Sequence, residues 1–285
     1  MPKTDKLAGC VVLYNPDGAI LKRIQTYSCE LDVLYVLDNS EHPSRALQNE
    51  LRTMSNKIYY IGMNGNQGIA KALNAALKKA HAQRYQWLLT LDQDSDMTVA
   101  YVIRMREFLF GECPSDVAVV GGNWYVSGRP RRRSTFKYMY VNKVLTSGSA
   151  VHVPTAVRLG GYLNKLFIDE VDHEFCYRAM VHGYMNILLN DAVFEHHIGN
   201  MQKHGTITAY HYPPVRYYYI SRNCRYVKKT YQYSGVLDER DIDRELWNVI
   251  KGIWHEEKRL KKYTAFILGM ADYRMGIWGK CRWKF

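Results

Sequence analysis

The first hundred residues alternate between two hydrophobic periods. Leu7–Tyr14 (LAGCVVLY) and Val33–Leu37 (VLYVL) are short, continuous apolar runs rich in β-branched and aromatic residues. That is the pattern of strands buried on both faces. Lys57–Ile61 (KIYYI) reads as a third strand and Trp87–Leu91 (WLLTL) as a fourth. Between them the turn-rich Gly62–Gly68 (GMNGNQG) leads into Ile69–His81, where Ile69, Leu73, Ala76, Leu77 and Ala80 share one helical face. Strands separated by helices predict an α/β sheet whose strands end at a common edge, where ligands bind. From Val117 to Val193 the pattern is mixed: a strand-like VAVVGG, the basic loop Gly128–Ser134 (GRPRRRS), then TSGSAVHVP. From about Ser234 the chain reads as helix. Ile242, Leu246, Val249, Ile250, Ile253, Trp254 and Leu260 form a stripe opposite Lys251, Lys258, Lys261 and Lys262. The stripe predicts packing, and the basic, Trp-bearing end predicts membrane contact.

Composition narrows the class. With 285 residues and 47% apolar side chains, the chain can bury a core without disulfides or metal staples. Its six cysteines are scattered, with no C-x-x-C pair, which predicts a reduced, cytoplasmic protein. The N-terminus lacks the charged start and long apolar stretch of a signal peptide. No uncharged run approaches the roughly 18 residues of a spanning helix, so the expectation is a soluble or peripheral protein. Lys and Arg number 39 against 27 acids, and Pro213–Phe285 carries 16 basic and 8 acidic residues. A basic, aromatic tail suits an anionic partner, whether a membrane surface, nucleic acid or a phosphorylated substrate.

The sharpest chemistry lies at the fourth strand. Asp92 and Asp94 stand one residue apart at its end, and alternate side chains of extended backbone point the same way. Two carboxylates facing one volume repel unless a cation intervenes. Mg²⁺ or Mn²⁺, completed by water and substrate phosphates, is the natural occupant. An EF-hand beginning at Asp92 fails, because its sixth and twelfth positions are Met97 and Ile103. A D-x-D pair in a solvated turn is the bland alternative.

Several motifs then appear in order: Val12-Leu-Tyr14-Asn15-Pro16; Val36-Leu-Asp38-Asn39-Ser40; Asn66-Gln-Gly68-Ile-Ala-Lys-Ala-Leu-Asn74; Leu89-Thr-Leu-Asp92-Gln-Asp94-Ser95; Thr146-Ser147-Gly148-Ser; Phe167-Ile-Asp169-Glu-Val-Asp172 running on to Arg178; His196-His-Ile-Gly199; and Arg216-Tyr-Tyr-Tyr-Ile-Ser-Arg222-Asn223. Together, over roughly Gly9 to Arg225, they resemble the family 2 inverting glycosyltransferases and their rhamnosyltransferase-like branch. The resemblance implies a GT-A fold, a mainly parallel sheet flanked by helices, over residues 1–233. The donor half would occupy about 1–115 and the acceptor half about 116–233, with 234–285 a helical basic extension.

What the resemblance implies for single residues is specific. Tyr14, Asn15, Asp38, Asn66, Gly68 and Asp92 would face the donor nucleotide. Asp94 and Asp92, with His196 as third ligand or its neighbour His197 in its place, would hold the metal. Asp172 would be the base that deprotonates the acceptor. Ser147, Gly148, Asp169 and Arg178 would lie on the acceptor side. Each has a plainer alternative. Asp38, Asn66 and Gly68 suit turns, Asp172 suits a helix N-cap, and a lone His is commonly structural. The implied reaction moves L-rhamnose from dTDP-L-rhamnose onto a glycan or lipid-linked glycan in bacterial surface-polysaccharide assembly, at the inner face of the cytoplasmic membrane. The alternatives are a UDP-sugar donor, a nucleotidyltransferase, or a nucleic-acid-binding protein. The nucleotidyltransferase lacks its basic Gly-rich loop after the first strand. Nucleic acid is not expected as a partner, because no RNP-like, KH or zinc pattern appears.

Overall fold

The computed structural model describes residues 5–126, 129–130, 134–196 and 201–285. Its N-terminal part runs β1 (Leu7–Leu13), α1 (Ile20–Ser28), β2 (Val33–Asp38), α2 (Arg45–Met54), β3 (Ile58–Gly62), α3 (Ile69–Ala82), β4 (Trp87–Asp92), β5 (Ser95–Asp96) and α4 (Val99–Gly111). There follow β6 (Val117–Val126), β7 (Arg129–Pro130), β8 (Tyr138–Tyr140), β9 (Ser149–His152), α5 (Val153–Arg158), α6 (Val171–Val181) and β10 (Met185–His196). The hairpin β11 (Gln202–His204) and β12 (Ile207–Ala209) precedes α7 (Pro214–Tyr231), α8 (Glu239–Ile253) and α9 (Arg259–Arg274). Arg131–Arg133 of the basic loop, and His197 with Gly199, lie outside the described residues.

The apolar runs behave as their period predicts. Strands β3-β2-β1-β4 lie side by side and parallel, and the sheet continues through β9, β6, β10 and β5. Antiparallel β9 is inserted between β4 and β6, so the sheet is parallel from β3 to β4 and mixed beyond it. Alternate residues of β1 feed two cores. Leu7, Val11 and Leu13 pack with Ile24, Leu51 and Phe108 under α1, α2 and α4. Ala8 and Cys10 pack with Leu73, Leu77 and Phe175 under α3 and α6. The small residues Ala70, Ala72, Ala76 and Ala80 let α3 lie close on the sheet.

A third core joins the C-terminal helices. Tyr217, Cys224 and Val227 of α7 meet Ile242, Leu246, Val249 and Ile253 of α8 and Phe266 of α9. The expected packing stripe is real over 242–253, but Trp254 and Leu260 do not continue it. Helix α8 ends at Ile253, Lys258 turns left-handed (φ 52°) before α9, and both side chains swing outward. Buried polar pairs lock the assembly. Asp272 accepts from Tyr218 Oη at 2.7 Å and Arg282 at 2.9 Å, and Glu256 accepts from Lys262 Nζ at 2.6 Å. A side chain at Gly269 would strike the Tyr218 carbonyl, which fixes how closely α9 crosses α7. All six cysteines are free thiols. Among the described residues, no helix is long and apolar enough to cross a membrane.

Candidate functional site

Strand β1 pairs with β2 on one side and β4 on the other, so the chain order reverses at β1, the switch point beside which open α/β sheets bind ligands. Register places Leu13 beside Asp38 and Val12 beside Asp92. Loops leaving these ends are tied together by side chains. The Gln93 carboxamide accepts from Tyr14 N at 2.7 Å and donates to Tyr14 O at 3.2 Å, mimicking one more rung of sheet. Asn15, left-handed at φ 45°, donates its backbone N–H to Ser40 Oγ at 2.8 Å. Asp38 is buried, and its carboxylate accepts from Tyr60 Oη at 2.7 Å and Ser40 N at 2.8 Å. It therefore organises the strand end, whereas Tyr14 stands half-exposed above it. Asn66 accepts from Gly68 N, and Asn39 donates to Gly68 O, so both Asn66 and Gly68 shape the turn into α3. Gly68 is required there: φ is +84°, and a Cβ would meet the Phe167 carbonyl at 2.6 Å.

The two acids at the β4 tip face one electrostatic environment. Burial first, then the charges of Asp94 and Asp172, push the Asp92 carboxyl up to about 7, against the opposing pull of Arg216 and a hydrogen bond from Ser147. Asp94 is exposed. This crowding of like charge fits a hard divalent cation held by two carboxylates and completed by phosphate and water oxygens. Among the described residues, no three His, Cys, Asp or Glu side chains converge as a metal site. His196 Nδ1 lies 3.1 Å from Ser95 Oγ, which is 2.7 Å from Ser147 Oγ, and the ring packs edge-on against Trp124. The histidine is thus linked to Asp92 through two buried serines. Gly148 (φ 69°) turns this loop, its carbonyl accepting from Tyr101 Oη and its N–H donating to Thr90 O at 2.9 Å.

On the opposite wall, Asp172 sits in the first turn of α6. Its Oδ2 accepts from Thr146 N at 2.7 Å and Thr146 Oγ1 at 3.1 Å, and Oδ1 accepts from His173 N at 2.9 Å. Immediately before it, Phe167, Asp169 and Glu170 all adopt positive φ (68°, 61° and 61°) without a glycine among them. Such backbone costs about 1–3 kcal/mol per residue and persists only where its surroundings impose it. Here α7 imposes it. The buried Asn223 carboxamide donates to the carbonyls of Leu166, Ile168 and Asp169 at 2.7–3.0 Å. Arg222, fully buried, donates to Leu166 O and Gly279 O and lies against the rings of Tyr218, Tyr219 and Trp278. Arg216 grips Asp169 through two bonds of 2.6 and 3.0 Å. Burial raises the Asp169 pKa, with Arg216 opposing it.

Arg178, expected on the acceptor side, is engaged within the protein. Its guanidinium pairs with Glu174 at 2.8 and 2.9 Å and donates to the carbonyls of Leu159 and Gly161. It braces that turn. Conversely, Arg216 belongs to the site although its motif gave it no role above. It is the guanidinium whose field reaches both Asp92 and Asp169. Gln93, Ser95 and Thr146 were also missed as site builders, each standing one position from a residue that was singled out.

The family model for glycosyl transferase family 2 matches residues 18–171, more than half of the chain. A curated relative, dTDP-rhamnosyl transferase RfbF of Shigella flexneri, is 22% identical over 295 residues, covering 96% of this chain and 97% of its own length. Among solved structures, the mannosyltransferase PcManGT from Pyrobaculum calidifontis, in complex with GDP-Man and Mn²⁺, superposes with a TM-score of 0.60 at 14% identity. It matches 97% of this chain and 76% of its own. S. aureus TarS 1–349 in complex with UDP-GlcNAc gives 0.55 at 15% identity, over 95% of this chain and 92% of that one. At such identities the solved structures speak for the fold. With the family match they agree on one assignment: the chain belongs to glycosyl transferase family 2 and is a sugar-transferring enzyme of GT-A fold.

Proposed function

We propose that this transferase takes its sugar from a pyrimidine nucleoside diphosphate and passes it, with inversion, to a hydroxyl of a lipid-linked glycan. The observation that carries the reading is the placement of Asp92 at the end of β4, two residues before Asp94, within reach of the charge of Asp172 in the first turn of α6. Mg²⁺ or Mn²⁺ bound by Asp94 and Asp92 supplies the positive charge that a departing diphosphate needs. Asp172, fixed by Thr146 and His173 N, accepts the proton of the attacking hydroxyl as its oxygen bonds to the anomeric carbon and the carbon–diphosphate bond breaks on the opposite side. Arg216, anchored on Asp169, adds a fixed cation beside Asp92. Tyr14 and the loops ordered by Asp38, Asn15 and Asn66 form the nucleotide face. Ser147 and Ser95 position His196 at its edge. In this reading residues 1–115 serve the donor and 116–233 the acceptor, with 234–285 buttressing the acceptor side and facing the cytoplasmic membrane.

A UDP-sugar is the first donor reading, supported by the similarity to structures holding UDP-GlcNAc and UDP. dTDP-L-rhamnose is the second, supported by the relative named for it. Uracil and thymine share their hydrogen-bonding edge, so one pocket serves either until the 2′-hydroxyl and 5-methyl are tested. The experiment is release of nucleoside diphosphate from a panel of UDP-, dTDP- and GDP-sugars with Mn²⁺. Turnover of a pyrimidine donor alone is expected. Turnover restricted to a GDP-sugar would overturn the assignment.

A further inference from the structure

Helices α8 and α9 each bury one face and expose another of unusual make-up. On α8 the stripe Ile242, Leu246, Val249 and Ile253 is sunk against α7. The opposite stripe, at steps of four, three, four and three residues, reads Arg240, Arg244, Trp247, Lys251 and Trp254. Trp247 is 61% and Trp254 62% exposed, where a purely solvated stripe would carry polar side chains. On α9, Leu260 (79% exposed) and Ile267 (61%) share the outward face, flanked by Arg259 and Lys261. The Arg259 guanidinium lies 4.8 Å from the Trp254 ring, joining the two helices into one surface.

The charge on this surface is unbalanced. Asp241 is taken by Arg244 at 3.2 Å, Asp243 by Lys228 at 2.7 Å, and Glu256 is buried against Lys262. Lys251, Lys258, Arg259 and Lys261 are all exposed around the turn between the helices, with Glu257 the acid among them. Tryptophan at the edge of an apolar patch, ringed by long cationic side chains, matches the chemistry of a bilayer's headgroup layer. The indole sits at the apolar boundary while ammonium and guanidinium groups meet phosphate.

We propose that the outward face of α8 and α9 is a docking surface for an anionic lipid bilayer, lying in the headgroup plane with Trp247, Trp254 and Leu260 seated at the acyl boundary. Its purpose rests on the lipid-linked acceptor proposed above; its chemistry rests on these residues alone. The test is co-sedimentation of the full chain, without nucleotide, with vesicles of phosphatidylglycerol and phosphatidylcholine and with vesicles of phosphatidylcholine only. Binding to the anionic vesicles, reversed by high salt, is expected. Each basic residue near such a surface contributes about fivefold, so Lys251→Gln, Arg259→Gln and Lys261→Gln combined should weaken binding about a hundredfold. Trp247→Ser, Trp254→Ser and Leu260→Ser combined should also abolish sedimentation. Both variants alter exposed side chains and should keep the wild-type melting temperature and metal-dependent stabilisation by UDP, which separates this surface from the donor site. Equal binding to phosphatidylcholine, failure of the unaltered chain to bind, or retained binding by either variant would overturn the proposal.

Discussion

The two regions proposed above to hold donor and acceptor are built by different means. On the donor side, Leu13, Asp38 and Asp92 end neighbouring parallel strands, so backbone register alone brings Tyr14, Asp38 and Asp92 to one edge. Short local bonds then finish the loops: Gln93 to Tyr14, Ser40 to Asn15, Asn66 to Gly68. On the acceptor side, Phe167–Glu170 has no such scaffold. Its left-handed backbone is held by Arg216, Arg222 and Asn223, which arrive from a helix some fifty residues later. The walls touch at Gly68, whose missing side chain leaves room for the Phe167 carbonyl. One wall is fixed by the sheet and tolerates change in its loops. The other depends on a few buried donors acting together.

That contrast can be broken by substitution. Asp94→Ala removes an exposed side chain and should leave stability unchanged while sugar transfer falls about a thousandfold, consistent with several kcal/mol of lost charge stabilisation. A loss below tenfold would remove Asp94 from the metal site. Asp172→Asn should lower kcat several hundredfold with little change in donor KM, because general-base removal leaves the nucleotide face intact. A raised donor KM at unchanged kcat would place Asp172 in binding instead. Asn223→Ala should cost about 2–3 kcal/mol of folding stability, by taking their side-chain donor from the Ile168 and Asp169 carbonyls and releasing strained backbone, while Leu166 O keeps Arg222, and should lower kcat as well. Denaturant melts and steady-state kinetics on the same variant check both halves. Gly68→Ala, forcing a Cβ into left-handed backbone against Phe167 O, should cost about 2 kcal/mol and disturb donor and acceptor kinetics together.

A pH experiment gives the smallest and most selective effect. The folded protein keeps a proton on Asp92 up to about 7, whereas its ordinary value is 3.8. Between these values Asp92 binds more protons in the native state than in the unfolded chain, so its contribution to stability falls as pH rises from about 4 towards 7. Asp169, also raised, adds to the fall. Saturating Mn²⁺ should flatten the part due to Asp92, because the bound cation favours its charged form. Melting curves from pH 4 to 6 are informative, staying below the range in which His173, its pKa raised, loses its proton. A slope unaffected by Mn²⁺ would leave Asp92 outside the cation site.

Much of the donor wall could be read from residue order, because strand periodicity and D-x-D spacing are local signals. The four parallel strands, helix α3 and the place of Asp92 at the end of β4 followed from them. The acceptor wall could not be read that way. Phe167, Asp169 and Glu170 give no glycine signal for their left-handed turn, and its cause lies in Asn223 and Arg222 far along the chain. The pairing of Arg178 with Glu174, four residues before it on the same helix, was likewise not anticipated. In the tail, periodicity continued through Trp254 and Leu260, but the left-handed Lys258 breaks the helix between them.

The central claim is that Asp92 and Asp94 hold a cation that binds the donor's diphosphate. Its most direct test is the thermal shift produced by UDP and dTDP, each with and without Mn²⁺, on the wild type and on Asp94→Asn. The account predicts stabilisation only when nucleotide and metal are both present, and only in the wild type. Equal stabilisation without Mn²⁺, or in Asp94→Asn, would contradict it.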